Sequence, residues 1–468
     1  MPRQGWVKPQ TDQRLTDHIA LGVLTRTFPP ELVDLAVHQA DARQKRFRLL
    51  PSRLVVYYVM ALALFSDANY EEVMRNLVEG LSWAASWERR WTVPSKAALF
   101  RARERLGVAP LRLLFQEACV PLATPHTRGA WYRRWRLMSI DGTTLDVADT
   151  PDNVTTFGRP GSGRGEGAAY PQLRVVALGE CGTHAVTALS MGGCTEGEGA
   201  LARNLVAALT PEMLVLADRY YVGHPLWSRM AATGAALCWR AKSNAVFPVL
   251  ERFSDGSFRS ELVASDDKTA REHVLPVRII EYAIDDPGRP GAAGTLYRLA
   301  TTLLDPTEAP AHELAACYAQ RWEIETLLDE LKTHQQGPRL VLRSKTPDGV
   351  RQEAYGYFCT HYAIRALMHD VADDDHIDPD RVSFTRALRA ARRSVRAGIG
   401  TASASLMRAM RETIAEIRRE LLPERRLRSA PRVVKRKMSG YHVKHPSRPW
   451  PQPTRRVIDC IRVAPRAP

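Results

Sequence analysis

Apolar residues recur at three- and four-residue spacing from residue 15 to about 122, in LTDHIALGVLTRTF and again in ELVDLAVHQA. That period predicts amphipathic helices. The apolar run LVVYYVMALALF, from Leu54 to Phe65, is well short of the ~20 residues a membrane span needs and predicts a buried helix. From Leu137 the texture changes. LMSIDGTTLDVAD, LRVVALGE and THAVTALSMG are short runs rich in β-branched residues and parted by glycines and polar turns, which predicts adjacent antiparallel strands. CTEGEGALARNLVAALT then sets Thr195 and Glu198 in capping-box spacing ahead of a helical repeat. MLVLADRYY reads as a strand ending on a carboxylate, GHPLWSRMAATG as a helix and AALCWRAKSN as a strand. Three strands, helix, strand, helix, strand is the order of an α/β protein with a mixed sheet and helices packed on it.

Residues 244–294 alternate and break at DG, DD and PG turns, which predicts a β-rich insertion; TLYRLATTLLD then returns to the main sheet. YAQRWEIETLLDELKTHQQG supplies a long helix, and further helices run through AYGYFCTHYAIRALMHDV to about 422. The expected organisation is an all-α N-terminal DNA-binding or accessory domain at 1–125, a first part of the core at 126–243, the insertion at 244–294, a second part with its following helices at 295–422, and a tail at 423–468. The tail is basic, bears prolines and lacks apolar periodicity, so it is expected to order only on a polyanion.

Composition narrows the partners. Hydrophobic residues at 45% and charged residues at 25% are ordinary globular values, and 468 residues allow two or three domains. A formal net charge of +15 favours a polyanionic partner, nucleic acid ahead of anionic membrane. Seven scattered cysteines with no CxxC pair exclude a disulfide framework and a cysteine zinc site. The opening MPRQGWVKPQTDQR carries no apolar signal region, so nothing is expected to direct the chain out of the cytoplasm. TVPSKAALFRARERLG predicts a short helix capped by Ser95, loaded with Lys96, Arg101, Arg103 and Arg105 and stopped by Gly107. It reads either as a helix for a DNA groove or as the solvated basic face of a structural helix.

Three acids occupy suggestive places: Asp141 in SIDGTT, Asp218 at the end of LVLAD and Glu325 in the long helix. Two carboxylates on strands and one on a helix crossing the same sheet can converge on a pair of divalent cations, which activate a water or 3′-hydroxyl and stabilise the leaving oxygen. Such hard oxygen ligands suit Mg²⁺ or Mn²⁺. Each acid also has a structural reading: Asp141 as a turn residue, Asp218 as a cap, Glu325 as the partner of Arg321. On an α-helix turning about 100° per residue, Tyr318, Arg321, Glu325 and Lys332 fall within a sector of roughly 60° that is too polar for a core. Ile324, Leu327, Leu328 and Leu331 form the adjoining stripe expected to pack on the sheet.

These residues, with the Tyr-x2-Arg-x3-Glu-x6-Lys spacing, DGTTLDVADT around the first acid and LADRYY around the second, resemble the DDE transposases of the insertion-sequence-4 family. LTRTFPPELVD and RLLPSRLVVYYVMALALF are similar to that family's separate N-terminal helical domain. The resemblance implies a ribonuclease-H-like core, with Asp141, Asp218 and Glu325 as ligands of two metal ions. It implies that Tyr318 and Arg321 contact the phosphate of the non-transferred strand, that Lys332 contacts DNA backbone, and that double-stranded DNA is bound by a homodimer in a synaptic complex. Asp146 and Asp149 compete for the role of first acid, and Asp329 lies one turn beyond Glu325. His224 reads as a phosphate contact or a helix-start residue, and Trp239 as a base-stacking or, preferably, a strand-packing residue. The glycine-rich FGRPGSGRGEGAAYP lacks the ending of a phosphate loop. Two rival readings share the site: a DNA-binding derivative that no longer cuts, and a metal-dependent nuclease that cuts without joining.

Overall fold

Leu54 to Leu64 forms the interior of a helix whose side chains are all buried, and the rest of the N-terminal region is arranged around it. The computed structural model describes residues 22–43, 50–82, 93–161, 168–264, 273–285, 296–335, 337, 341–397, 403–419, 421–423, 433–434, 442–443 and 456–463. Six helices open the chain: α1 (Val23–Thr27), α2 (Pro30–Gln39), α3 (Ser52–Leu64), α4 (Tyr70–Ser82), α5 (Lys96–Leu106) and α6 (Ala109–Ala118). Helix α5 starts where Ser95 Oγ accepts the Ala98 amide, and stops at Gly107, whose φ of 70° suits a residue without Cβ. Its charges divide. Arg101 and Arg105 are exposed, but Arg103 is 4% exposed and donates to Ser344 Oγ and the Gly349 carbonyl, both at 2.9 Å. Neither expected reading covers it, because its partners lie some 240 positions away in the chain.

The sheet grows from one long strand. After β1 (Trp131–Tyr132), β2 (Trp135–Asp146) pairs antiparallel with β3 (Gln172–Glu180), and β3 with β4 (Val186–Gly193). On the other side of β2, β5 (Met213–Ala217) and β6 (Ala236–Arg240) add in parallel. The crossovers hold α7 (Pro151–Phe157), α8 (Glu198–Ala202) and α9 (His224–Ala231). Apart from α7, which the periodicity does not mark, this is the predicted element order, and β4-β3-β2-β5-β6, antiparallel and then parallel, is the mixed sheet of the expected ribonuclease-H-like fold. One local expectation fails: α8 is capped by Gly197, and Thr195 stays exposed, so Thr195 and Glu198 do not form a capping box. Beyond β6 come β7 (Glu251–Arg252), β8 (Phe258–Val263), β9 (Val274–Ile284) and β10 (Tyr297–Thr301), in the spatial order β6-β10-β9-β8-β7. The β-rich segment therefore extends the main sheet.

Helices α10 (Ala311–Cys317) and α11 (Trp322–Asp329) come next, then α12 (Pro347–Asp374), α13 (Phe384–Ala397) and α14 (Ser403–Arg419). Helix α12 lies against α3, where Thr360 Oγ1 donates to the Met60 carbonyl at 2.9 Å, and the two share one apolar core. The N-terminal helices are thus packed on the same body as the sheet. The tail is partly ordered as well. A short pair, β11 (Val433–Val434) and β12 (His442–Val443), is succeeded by α15 (Val457–Cys460) and β13 (Ile461–Val463), which pairs antiparallel with β9. Edge hydrogen bonds of β9 supply what the tail's own periodicity lacks. Among the described residues, no helix is long and apolar enough to cross a membrane.

Candidate active site

The register of β2 on β5 sets Ile140 opposite Ala217, so Asp141 and Asp218 succeed one another off neighbouring parallel strands. Asp141 Oδ1 accepts the Gly142 amide at 2.8 Å, and Asp218 Oδ1 accepts the Tyr220 amide at 2.7 Å, which orients each carboxyl before any ligand arrives. Both are partly exposed, Asp218 just past the end of β5 and Asp141 midway along β2, where its pairing with β5 stops.

The third acid comes from a segment that changes winding twice. Tyr318–Arg321 is a 3₁₀ turn, Trp322–Asp329 is α-helical and Glu330–Gln335 is a π-helical turn. The single sector expected of a regular α-helix is therefore not kept, because each change of winding rotates the residues beyond it; π turns of this kind recur at functional sites. The apolar stripe does pack as expected, with Ile324, Leu327, Leu328 and Leu331 buried. Gly179 of β3 makes room for it. A Cβ there would stand 2.7 Å from Ile324 Cδ1 and 2.9 Å from Leu327 Cδ1.

Arg321 is 8% exposed and stands between acids: its Nη2 donates to Glu325 Oε1 at 2.7 Å, and its Nη1 is 3.8 Å from Asp141 Oδ2. Burial pushes the Asp141 carboxyl up to about 6; the Gly142 amide and Arg321 oppose the rise, while Asp218 and Glu325 add to it. Asp218 and Glu325 are thus both within electrostatic reach of Asp141. Tyr318 is buried and its hydroxyl donates to the Ala217 carbonyl at 3.0 Å, one residue before Asp218. Lys332 is exposed on the π turn.

The competing residues are engaged elsewhere. Asp146 accepts from Gln172 at 2.8 Å, Asp149 pairs with Arg159, and Asp329 accepts from Thr333 at 2.7 Å. His224 is the first residue of α9, and Trp239 is buried edge-on against Trp227 with ring centroids 5.0 Å apart. The middle of the glycine-rich stretch, 162–167, lies outside the described residues.

A buried polar group escaped the sequence reading. His184, Glu323 and Asp380 bring ligand-type atoms within 4.8 Å of one another. Beside them Arg365 donates to His184 Nδ1 and to Glu330, and His361 lies 3.2 Å from Glu330 Oε2. Arg365 already supplies the positive charge here, so the group fastens α11 and its π turn to α12 from beneath. Glu323 and Glu330 flank Glu325 on the opposite side of the helix, and no local spacing marks their distant partners.

The donor set at Asp141, Asp218 and Glu325 is all carboxylate oxygen, and burial leaves the Asp141 carboxylate a deficit of stabilisation that the Gly142 amide and Arg321 only partly make up. A divalent cation relieves that deficit, so the residues fit one. Comparison with known proteins identifies the family. The family described as "Insertion element 4 transposase N-terminal" matches residues 18–116, and "Transposase DDE domain" matches 135–362. Transposase InsG for insertion sequence element IS4, of Escherichia coli (strain K12), is 27% identical over 432 residues, 91% of this chain and 92% of that protein. Among solved structures, a piggyBac transposase synaptic complex with hairpin DNA aligns with 87% of this chain and 86% of its own at 12% identity, with a TM-score of 0.42. With both domains matched in order and a relative aligned over nearly the whole length, this chain belongs to the DDE transposases of the insertion-sequence-4 family.

Proposed function

We propose that Asp141, Asp218 and Glu325 are the acids with which this enzyme cuts DNA at transposon ends and joins the freed 3′-hydroxyls to a target. The chain is a DDE transposase, an enzyme of DNA cleavage and strand transfer, and DNA is its partner. The DDE domain depends on divalent metal. We assign the ions as two Mg²⁺ or Mn²⁺ held by the three acids. When bound, they supply a lowered pKa for the attacking water or hydroxyl and charge neutralisation for the leaving oxygen.

The chain's own residues do the rest. The adjacent strands fix Asp141 and Asp218, and the buried stripe of α11 fixes Glu325 against them. Arg321 balances the acids in the free enzyme and turns to a phosphate of the non-transferred strand when DNA is seated. Lys332, already exposed, meets the DNA backbone. Tyr318 reaches a phosphate by exchanging the Ala217 carbonyl for it; until then its hydroxyl tethers the end of β5. Residues 1–125 and the basic tail at 423–468 are assigned to DNA binding, the working form to a homodimer holding two ends, and its location to the cytoplasm, on the nucleoid.

The observation that carries this reading is geometric: Arg321 stands between Asp141 and Glu325, and Asp218 follows the residue that pairs with Ile140 on the neighbouring parallel strand. Its test is incubation of the protein with Mg²⁺ or Mn²⁺ and a plasmid carrying its own gene with flanking sequence, beside the Glu325→Gln variant. Discrete cuts at inverted repeats, absent in a variant that still binds those ends, are expected. Equal cutting by both proteins would remove Glu325 from the site. A nuclease that only cuts would leave 3′-hydroxyls unjoined to added target DNA.

A further inference from the structure

Strand β2 presents alternate residues to its two faces, so Asp141 and Gly142 face opposite ways. On the Asp141 side stand Arg321 and Glu325. On the Gly142 side stands Glu198, the first residue of α8, whose neighbours Leu201 and Ala202 share a core with Met138 and Ile140. The Glu198 carboxyl occupies the space that a side chain at 142 would take: a Cβ there would lie 2.5 Å from Glu198 Cδ and 2.7 Å from Oε1. Asp141 turns toward the same peptide, since its Oδ1 accepts the Gly142 amide. Glu198 Oε2 is also 3.4 Å from the hydroxyl of Tyr221, a side chain 2% exposed.

We propose that Glu198 is a fourth carboxylate of the active site, reaching the divalent cations across Gly142 from the face opposite Glu325. Two helices on opposite sides of the sheet then each deliver one glutamate to Asp141 and Asp218, at the point where β5 stops pairing with β2. Gly142 is the gap in the sheet surface that lets Glu198 approach, and Tyr221 steadies its outer oxygen. A glutamate at the start of a helix would ordinarily serve its own helix end; here its carboxyl lies over β2 instead. The inference rests on the assignment of Asp141, Asp218 and Glu325 as metal ligands.

The test is Mn²⁺ binding by the full-length protein, monitored by electron paramagnetic resonance without DNA, for wild type, Glu198→Gln, Asp218→Asn and Tyr221→Phe. Glu198→Gln is expected to weaken Mn²⁺ binding by roughly tenfold or more, as does Asp218→Asn, while Tyr221→Phe keeps most of the affinity. Wild-type affinity in Glu198→Gln with loss in Asp218→Asn overturns the role of Glu198 and leaves the three-acid site standing. Unchanged affinity in both overturns the three-acid assignment and this inference with it. Melting in the absence of metal separates a folding defect. If Glu198→Gln and Tyr221→Phe lower Tm alike and neither alters Mn²⁺ affinity, Glu198 is only Tyr221's hydrogen-bond partner, and the proposal fails.

Discussion

Arg321 donates to Glu325, four residues on, at 2.7 Å, and the same guanidinium lies 3.8 Å from Asp141. A buried arginine with two acids around it offsets their repulsion while no cation is bound. Removing it leaves the acids uncompensated, a penalty that partial exposure of Glu325 reduces by solvent screening. Arg321→Met is therefore expected to destabilise the metal-free protein by roughly 1–3 kcal/mol. Mg²⁺ should restore more stability to this variant than to wild type, because the ion replaces the lost charge. Denaturant unfolding with EDTA and with Mg²⁺ measures both, and an equal metal response in the two proteins would contradict the pairing.

The raised Asp141 carboxyl makes stability depend on pH in a fixed direction. In the unfolded chain its pKa is near the ordinary aspartate value of 3.8, and in the folded protein it is about 6. The folded state therefore holds the proton more tightly, and ionising this group costs stability. The cost is absent below the unfolded value, grows between the two and is complete above the folded one. Asp141→Asn abolishes it, so without metal the variant should be more stable than wild type by roughly 1–3 kcal/mol at about pH 8, with the gain vanishing by about pH 4. A difference that does not change with pH would mean that Asp141 titrates normally.

Local sequence carried much of the fold. The strand order from β2 to β6 was legible because each run alternates or stays apolar over its own length, and α3 because it is too short to span a membrane and too apolar for a surface. What failed was decided by distant partners. Arg103 looks like its surface neighbours on α5, yet Ser344 and Gly349 bury it. The final residues have no pattern of their own and take their order from the β9 edge. Asp141, Asp218 and Glu325 are proposed on motif spacing, whereas the spacing of Glu198 reads as that of a capping residue and His184 had no spacing to mark it. The regular helix expected around Glu325 was also too simple, since tertiary packing overrides the α-helical period on both sides of α11.

Gly179 decides how closely α11 can sit on the sheet. Both atoms that a Cβ would meet are the far ends of flexible side chains, so a single methyl is accommodated by small rotations. A branched side chain has no such room and lifts the helix. Gly179→Ala is expected to keep cleavage within several-fold of wild type, and Gly179→Val to lose roughly a hundredfold through displacement of Glu325. Binding of transposon ends should survive, since the exposed Lys332 and the N-terminal helices are untouched. Comparing end cleavage with gel-shift affinity checks this, and full cleavage by the valine variant would show that the close contact does not position Glu325.

Glu330 anchors the other end of that segment. Burial alone would raise its carboxyl, but Arg365 and His184 outweigh burial and hold it well below the usual carboxylate range. A depressed acid contributes stability that is present above its unfolded pKa and is lost as pH falls through the folded value. Glu330→Gln leaves Arg365, a side chain 2% exposed, without its buried counter-charge. The expected cost is roughly 3–5 kcal/mol at neutral pH, read from denaturant midpoints, and it should begin to shrink as the pH falls below the ordinary glutamate value of 4.5 and go on shrinking toward the folded value. Cleavage should fall with it even at temperatures where the variant stays folded, because the π turn carrying Glu330 continues directly from the helix that carries Glu325. A folded Glu330→Gln protein with wild-type cleavage would separate the buried network from the placement of the catalytic helix.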